Sequence, residues 1–254
     1  MSAPRESAVR IGLVYPELLG TYGDRGNAVV LVQRLRRRGI DAELVEVTAG
    51  SVIPESVDVF LFGGGEDNPQ EAASAGMRAS RANIDRARAG GAVVFAVCAG
   101  FQLIGTSYET GDGEHIDGLG IVDAVTAAVP GAPRLIGEVV VEPDPPLPLL
   151  TGFENHSGRT RLGSAARPLG RVRTGGGNGD GVDGALGERV VGTYLHGPVL
   201  PRNPALADFL LEWVVGPLPA LASPLEEQLR ERRLDRALAG PVGRWRERLH
   251  LARG

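Results

Sequence analysis

From residue 10 to residue 97, short β-branched apolar runs alternate with longer segments whose apolar residues recur at helical spacing. This alternation is typical of consecutive βαβ units. Runs such as VVFAV (93–97) are apolar throughout, which indicates strands buried on both faces of a mostly parallel sheet flanked by helices. In such sheets, ligands bind beyond the carboxyl ends of the strands. The candidate strands are 11–15, 42–47, 57–62 and 92–97, and the candidate helices are 27–38 and 71–88.

Beyond Gly118 the pattern changes to strand-like runs separated by polar, turn-rich stretches. The runs 120–129, 135–142 and 190–194 predict continued sheet with more antiparallel pairing. Residues 175–184 (GGGNGDGVDG) predict a flexible hairpin tip, because they lack the lysine and Ser/Thr of a phosphate loop. Residues 203–215 and the charged run after Pro224 predict helices. We therefore expect a flexible N-terminus (1–9), one α/β domain (10–216) and a helical C-terminal extension (217–254).

Composition and charge exclude several kinds of partner. The 254 residues are 43% hydrophobic and 23% charged, with a formal net charge of −4. That charge gives no electrostatic reason to expect nucleic acid or an anionic membrane surface as a partner. No apolar run approaches the ~20 residues that span a bilayer, so we expect a cytoplasmic protein without membrane insertion. We find no Walker lysine loop, Rossmann glycine pattern or metal-ligand cluster, and so expect no cofactor or metal in this chain.

The single cysteine, Cys98, cannot form an internal disulfide. It directly follows the apolar strand candidate and precedes a helix candidate, FQLIGTSYE, which gives the order strand, nucleophile, helix. A nucleophile on such a sharp turn needs small neighbours, and Ala96 and Gly100 provide them. The N-terminus of the following helix would favour the thiolate. The alternative is a buried structural cysteine on a core strand.

Attack on an amide carbonyl also needs hydrogen-bond donors aimed at the oxyanion. Two sources of backbone N–H groups are available: Ala99, which follows the cysteine, and the loop Gly63–Gly64–Gly65 after the preceding strand candidate. Both lie at the carboxyl ends of neighbouring strands in this interpretation, so they can converge on one point. Three glycines in a tight turn also have a structural explanation of their own.

A cysteine nucleophile needs a base within hydrogen-bond reach. His196 ends the strand-like run VVGTYL and is followed by Gly197 and Pro198, so we expect it to be displayed at a strand end and to act as the base. His156, in GFENHSGRT, is the rival, with a structural role as its alternative. His115 and His250 fit a polar surface better.

The segment VCAGFQLIG carries the pattern Cys-x-Gly-x-Gln at Cys98, Gly100 and Gln102, and resembles the cysteine motif of class I glutamine amidotransferases. Four further segments resemble more narrowly the glutaminase subunits of bacterial lipid II isoglutaminyl synthases, and less closely the amidotransferase domains of cobyric acid and cobyrinate a,c-diamide synthases. The resemblance runs from about residue 11 to residue 213 and implies a flavodoxin-like sheet. The four segments are YPELLGTYGDRGNAVVL, LFGGGEDNPQ, GFENHSGRT and GTYLHGPVLPRNP.

The resemblance implies roles for residues at matching positions. Cys98 would attack the side-chain amide of glutamine to give a thioester and ammonia, and His196 would shuttle the protons. Gly64 and Ala99 would form the oxyanion hole, and Gln102 would help to orient the substrate. The resemblance also points to a cation for the α-carboxylate of glutamine. That cation would be Arg134, with Arg159 and Arg161 as alternatives.

One position departs from the larger family. Many class I enzymes carry a glutamate two residues after the catalytic histidine, where this chain has Pro198. Either another carboxylate orients the histidine or Cys98 and His196 work as a dyad. The candidate carboxylates are Asp24, Glu66 and Glu154.

The resemblance also implies a partner. A Mur ligase-like (MurT-like) subunit, which would hold ATP and Mg²⁺, would use the ammonia to amidate the α-carboxyl of D-glutamate in lipid II. A heteromer of the two subunits is therefore expected. The alternatives are ammonia supply to a corrinoid amidation, or a non-catalytic binding subunit.

Overall fold

The computed structural model describes residues 7–239 apart from residues 22, 66, 111, 145 and 146. The strands are β1 (Val9–Val14), β2 (Ala42–Val47), β3 (Val59–Phe62), β4 (Val93–Val97), β5 (Ser107–Glu109), β6 (His115–Asp117), β7 (Ala124–Ala128), β8 (Leu135–Pro143), β9 (Leu150–His156), β10 (Gly158–Leu162), β11 (Gly170–Thr174), β12 (Val182–Asp183), β13 (Ala185–Gly187) and β14 (Val190–Thr193). The helices are α1 (Arg25–Arg36), α2 (Asp67–Ala79), α3 (Arg81–Ala89), α4 (Ala99–Ile104), α5 (Val199–Arg202), α6 (Pro204–Val215) and α7 (Pro224–Leu238).

The central sheet has six strands in the order β13-β14-β4-β3-β1-β2. All neighbours in it are parallel except β13, which runs antiparallel to β14. Apart from β13, this is the flavodoxin-like order, and the predicted mostly parallel α/β fold is confirmed. Every residue of β3 and β4 is buried, which explains why these strands are apolar throughout.

The second half of the chain forms two further four-stranded sheets rather than one continued sheet. Their orders are β10-β7-β5-β6 and β12-β11-β8-β9, and all neighbours pair antiparallel except β5 with β7. The chain then returns to the centre, where β14 pairs parallel with β4 from Val190↔Val94 to Thr193↔Val97. The predicted antiparallel pairing is present, but the last strand rejoins the parallel sheet and brings the carboxyl ends of β4 and β14 side by side.

Three local predictions differ from the structure. The helix candidate FQLIGTSYE (101–109) is helical only as far as Ile104, and Ser107–Glu109 form strand β5 instead. The helix predicted over 71–88 is two helices, because the backbone leaves helical geometry at Ser80 (ψ 6°), where the Ser80 hydroxyl accepts the Ile53 N–H (3.0 Å). The predicted hairpin tip at 175–184 does join β11 to β12, but it is tied down. The buried side chain of Asn178 accepts the Gly184 N–H (2.8 Å) and donates to the Gly184 carbonyl oxygen (3.0 Å).

The C-terminal helix α7 packs against the rest of the chain. Arg230 donates to the Leu149 carbonyl oxygen (2.7 Å), and Glu226 pairs with the buried Arg34 of α1 (3.3 Å). The predicted extension thus begins as a docked helix, and its residues 240–254 lie outside the described residues. Of the predicted flexible N-terminus, residues 1–6 also lie outside them, and Val9 belongs to β1. Within the described residues, no helix has the length and apolar character needed to cross a membrane.

Candidate active site

Cys98 occupies a sharp turn between β4 and α4. Its backbone has φ 49° and ψ −105°, a conformation that non-glycine residues rarely adopt, and its N–H donates to the Thr193 carbonyl oxygen of the neighbouring strand (2.8 Å). Such strain at a strand-to-helix turn is the geometry of a nucleophile elbow. The thiol is buried, and it lies at the N-terminus of α4.

Gly100 makes this turn possible. A Cβ atom at this position would lie 2.7 Å from the Phe62 carbonyl carbon, so any other residue would push the nucleophile turn away from β3. The Gly100 N–H donates to the Gly63 carbonyl oxygen (3.0 Å), which ties the start of α4 to the glycine loop after β3. The small residue expected two positions after Cys98 is thus required by close backbone approach.

The glycine loop 63–65 has a defined orientation. The Gly64 N–H donates to the Asp24 carboxylate (Oδ2, 2.7 Å), and the Gly64 carbonyl oxygen accepts the Thr21 N–H (3.2 Å). Since the C=O and N–H of a trans peptide point in opposite directions, the Gly64 N–H faces away from α4, towards which the Gly63 carbonyl points. The predicted oxyanion donor Gly64 is therefore directed at Asp24 in this conformation, and its catalytic role stays a prediction. The other predicted donor, Ala99, is the first residue of α4.

His196 lies just beyond the carboxyl end of β14, the strand beside β4. It is 1% exposed, and its backbone forms both hydrogen bonds of a bridge to Phe153 of β9 (2.7 and 3.1 Å). Burial, with the electrostatic influence of nearby His156 and Arg134, lowers the pKa of His196 to about 3. The imidazole is therefore neutral at physiological pH, which is the form that can accept a proton.

His156, the rival base, has a different setting. Its ring stacks on Tyr194 with centroids 3.8 Å apart, and its Nδ1 lies 3.0 Å from the Gly158 carbonyl oxygen. Its Nε2 lies 3.6 Å from the buried carboxylate of Glu154. These contacts hold the turn between β9 and β10 against the strand that carries His196. The structural role weighed for His156 is therefore the better supported one.

Gln102 is buried within a chain of polar side chains. Its amide oxygen accepts a hydrogen bond from Gln70 (2.9 Å), and its amide nitrogen donates to the Tyr194 hydroxyl (3.3 Å). That hydroxyl lies 2.6 Å from the hydroxyl of Thr160, and burial raises the pKa of Tyr194 to about 12. The contacts of Gln102 connect α4 to the strand before His196, and its predicted role in orienting substrate stays a prediction.

Arg134 lies on the surface just before β8. Its guanidinium donates to the Asn155 side chain (2.5 Å), the Asn155 carbonyl oxygen (3.1 Å) and the Ser157 hydroxyl (3.0 Å). Its positive charge helps to lower the pKa of His196, so the cation and the base share one electrostatic environment. Of the two rivals, Arg159 donates to the carbonyl oxygens of Ser157 (2.8 Å) and Pro133 (2.9 Å), and Arg161 is exposed on β10.

The carboxylates considered as orienters of His196 have other partners. Asp24 binds the Gly64 N–H, and burial raises its pKa to about 6. Glu154 accepts the N–H groups of Gly176 (2.7 Å) and Gly177 (2.9 Å). Burial acts to raise the pKa of Glu154, but these bonds and the adjacent His156 outweigh it and hold that pKa below its ordinary value. Glu66 lies outside the described residues.

Sequence reasoning missed a further buried carboxylate, Asp183. It accepts hydrogen bonds from the Thr193 hydroxyl (2.6 Å) and the Tyr194 N–H (3.2 Å), so it fixes the end of β14 just before His196. Burial raises its pKa to about 7. Its sequence context, a glycine-rich turn, carries no mark of this role. Among the described residues, no cluster of three or more His, Cys, Asp or Glu side chains has the arrangement of a metal site.

Comparisons with known proteins identify the family to which the chain belongs. The family model for the CobB/CobQ-like glutamine amidotransferase domain matches residues 10–204. Subunit GatD of the glutamine-hydrolyzing lipid II isoglutaminyl synthase of Staphylococcus aureus is 38% identical over 198 residues, which cover 76% of this chain and 79% of that protein. The GatD subunit of Streptococcus pneumoniae is 35% identical over 202 residues, covering 78% of this chain and 77% of that protein.

Among solved structures, one of a glutamine amidotransferase superposes with a TM-score of 0.56 at 21% identity. The match covers 81% of this chain and 98% of that one, and it supports the fold assignment. The cysteine motif, the strand order and the family match point the same way. This chain belongs to the CobB/CobQ-like glutamine amidotransferase family, and the GatD subunits are its relatives within that family.

Proposed function

We propose that this chain is the glutaminase subunit of a lipid II isoglutaminyl synthase, which hydrolyses L-glutamine at Cys98 and supplies the ammonia to a partner subunit. The observation that carries the proposal is the pairing of β4 with β14. It sets Cys98, on a strained turn, beside the strand end from which His196 emerges. The names of the two GatD relatives support the acceptor and the subunit arrangement.

The chemistry follows from these two side chains. Neutral His196 accepts the thiol proton of Cys98, and the thiolate adds to the side-chain carbonyl carbon of glutamine. The carbon–nitrogen bond then breaks, and the nitrogen leaves as ammonia with the proton held by His196. A water molecule, deprotonated by His196, adds to the thioester, the carbon–sulfur bond breaks, and glutamate leaves. The Ala99 N–H and an N–H of the glycine loop would stabilise the oxyanion in both steps.

The substrate requires a cation for its α-carboxylate and a fixed pocket for its amide. Arg134 is the proposed cation, because its charge acts on His196 and its guanidinium is already oriented by Asn155 and Ser157. Gln102 and Tyr194 support the floor of the site through their mutual hydrogen bond. Gln102 lies on α4, which begins directly after Cys98, and Tyr194 lies two residues before His196.

The acceptor reaction is assigned to a Mur ligase-like (MurT-like) partner that binds ATP and Mg²⁺. Activating a carboxyl group needs a phosphate donor, and the sequence of this chain has no loop suited to one. Ammonia must be shielded from water and protonation on its way, so we expect a stable heteromer. With lipid II as the acceptor, the proposed product is D-isoglutamine in the stem peptide, made at the cytoplasmic face of the membrane.

The test is glutamate release from glutamine by the full chain, alone and co-purified with a Mur ligase-like partner. We compare wild type with Cys98→Ser, His196→Asn and His115→Asn, an exposed histidine that serves as the matched control. We expect Cys98→Ser to abolish activity, His196→Asn to lower kcat about 10³-fold, and His115→Asn to leave it unchanged. Lipid II amidation, followed by mass spectrometry, should need both subunits, ATP and glutamine.

Different failures have different meanings. An active Cys98→Ser enzyme would refute the nucleophile. Glutamate release coupled to amidation of a corrinoid, and not of lipid II, would favour the alternative acceptor. A wild-type complex that binds glutamine without releasing glutamate would favour a non-catalytic binding subunit.

A further inference from the structure

The segment GTYGDRGN (20–27) has no role in the chemistry above. Two of its side chains are nevertheless buried between the glycine loop (63–65) and residues 196–200, which begin at His196 and are here called the base loop. We propose that Asp24 and Asn27 form a brace that holds these two loops in register, and that both are positioning residues for glutamine hydrolysis. The inference rests on the proposed function, because the two loops are those assigned to the oxyanion and to the base.

The brace is a continuous chain of hydrogen bonds. The Gly64 N–H donates to Asp24 Oδ2 (2.7 Å), the Asn27 side-chain amide donates to Asp24 Oδ1 (3.1 Å), and the Leu200 N–H donates to Asn27 Oδ1 (2.9 Å). Asp24 and Asn27 are each 2% exposed. Every bond is therefore made away from competing water, where losing one partner costs most.

At one end, the brace fixes the glycine loop. Gly64 is held on both sides, by Asp24 at its N–H and by Thr21 at its carbonyl oxygen. The next N–H, from Gly65, must point opposite to the Gly64 carbonyl and so away from the segment that carries Thr21 and Asp24. The Gly63 carbonyl points in that same general direction, towards Gly100. With the brace intact, the Gly65 N–H, and not the Gly64 N–H, is thus the glycine-loop donor directed away from the segment that carries Asp24.

At the other end, the brace fixes the base loop. Leu200 is the second residue of α5, and the Asn27 side-chain oxygen satisfies its N–H, as an N-cap residue would do from within the same helix. Gly26 allows this approach, because a Cβ atom there would lie 2.6 Å from the ring of Pro198. The chain from His196 to Leu200 is therefore anchored to α1 at a distance of four residues from the base.

Catalysis needs this register because the oxyanion donor and the base must act on the same carbonyl group. A displacement of about 1 Å between catalytic groups can cost on the order of 100-fold in rate.

Each single exchange breaks the brace. Asp24→Asn leaves two amide NH₂ groups facing each other without an acceptor, and Asn27→Asp leaves two carboxylates facing each other without a donor.

The double exchange, Asp24→Asn with Asn27→Asp, restores every bond of the brace. The Gly64 N–H would donate to the side-chain oxygen of the new amide at position 24. The NH₂ group of that amide would donate to the new carboxylate at position 27, whose other oxygen would accept the Leu200 N–H. The exchange therefore tests whether catalysis depends on the hydrogen bonds of the brace or on having aspartate at 24 and asparagine at 27.

The experiment compares wild type, the two single variants, the double exchange and Arg25→Ala in the full chain, with and without the partner. Arg25 is the matched control, because its side chain in the same segment pairs with Glu46 at the surface (2.6 Å). We expect each single variant, checked for folding by circular dichroism, to lose about 10- to 100-fold in kcat with KM changed less than about threefold. The double exchange should regain most of the lost kcat.

A second readout does not depend on turnover. In either single variant, hydrogen exchange should become markedly faster at both the glycine loop (63–65) and the start of α5 (199–202), and it should slow again in the double exchange. Wild-type exchange at both loops would overturn the brace, as would folded single variants with wild-type kcat. A higher kcat in Asp24→Asn would also overturn it, because it would mean that Asp24 inhibits the enzyme by holding the Gly64 N–H. A wild type that releases no glutamate refutes the proposed function, while the exchange data still decide whether the brace exists.

Discussion

The turn that carries Cys98 (the nucleophile loop) and residues 196–200 (the base loop) are built in different ways. Cys98 is positioned mainly by the backbone next to it in sequence: the strand before it, the helix after it, and Gly100, whose lack of a side chain lets the turn pack against the Phe62 carbonyl. His196 is positioned by residues distant in sequence, namely Phe153 of β9, Asp183 of β12 and Asn27 of α1 through Leu200. A locally encoded loop can be recognised from a short motif, whereas an assembled loop can be understood only once the fold is known.

The largest expected effect comes from disturbing the local loop. Gly100→Ala would place a Cβ atom 2.7 Å from the Phe62 carbonyl carbon, and both groups are backbone-anchored. We expect a loss of about 100-fold or more in glutaminase kcat and of roughly 1–3 kcal/mol in the free energy of unfolding. Glutamate release and urea unfolding measure the two effects.

Gly187→Ala is the matched control for that variant, because its new Cβ would make only ordinary contact with Val190 (3.5 Å). It should retain wild-type activity. A Gly100→Ala enzyme with wild-type kcat would show that the nucleophile loop tolerates displacement, and would remove the contrast between the two loops.

A smaller effect is expected from the part of the site that is held together by residues distant in sequence. Arg134→Ala removes a guanidinium held by Asn155 and Ser157, at the turn between β9 and β10. Because a charged hydrogen bond to the glutamine carboxylate is worth about 1.5–3 kcal/mol, we expect KM for glutamine to rise about 10- to 100-fold with a smaller change in kcat.

Arg159→Ala is the comparison, since Arg159 lies nearby and donates to the carbonyl oxygens of Ser157 and Pro133. Steady-state kinetics with varied glutamine distinguish the two arginines. A KM raised in Arg159→Ala and not in Arg134→Ala would show that Arg159, rather than Arg134, binds the α-carboxylate of glutamine.

The same contrast explains what the sequence could predict. The parallel sheet and the nucleophile turn follow from local patterns: apolar strands, a small residue on each side of Cys98, and the Cys-x-Gly-x-Gln motif at its place. The sequence favoured His196 over His156 as the base because His196 ends a strand, and that choice stays a prediction. The network around His196 was not predictable, since the Gly64–Asp24 bond and the Asp183–Thr193 bond join residues 40 and 10 positions apart through tertiary packing. Asp24 was weighed only as an orienter of His196, because no local pattern shows which N–H a carboxylate will meet.

The smallest effect expected is a dependence of stability on pH that has opposite signs for two buried groups on the base side of the site, His196 and Asp183. The pKa of His196 is lowered to about 3, so between pH 3 and about 6.5 the unfolded chain binds a proton that the native chain does not, and stability falls as the pH falls. The pKa of Asp183 is raised to about 7, so between about pH 4 and pH 7 the native chain keeps a proton that the unfolded chain has released, and stability falls as the pH rises.

Urea unfolding at about pH 7.5 and about pH 5 measures both effects. On acidification, the free energy of unfolding of His196→Asn should rise by about 1–2 kcal/mol relative to wild type, and that of Asp183→Asn should fall by a similar amount. Gly100→Ala should keep the wild-type pH dependence, because its loop is held by backbone contacts and not by a titrating group. Equal pH slopes in all three variants would mean that His196 and Asp183 do not set the pH dependence of stability.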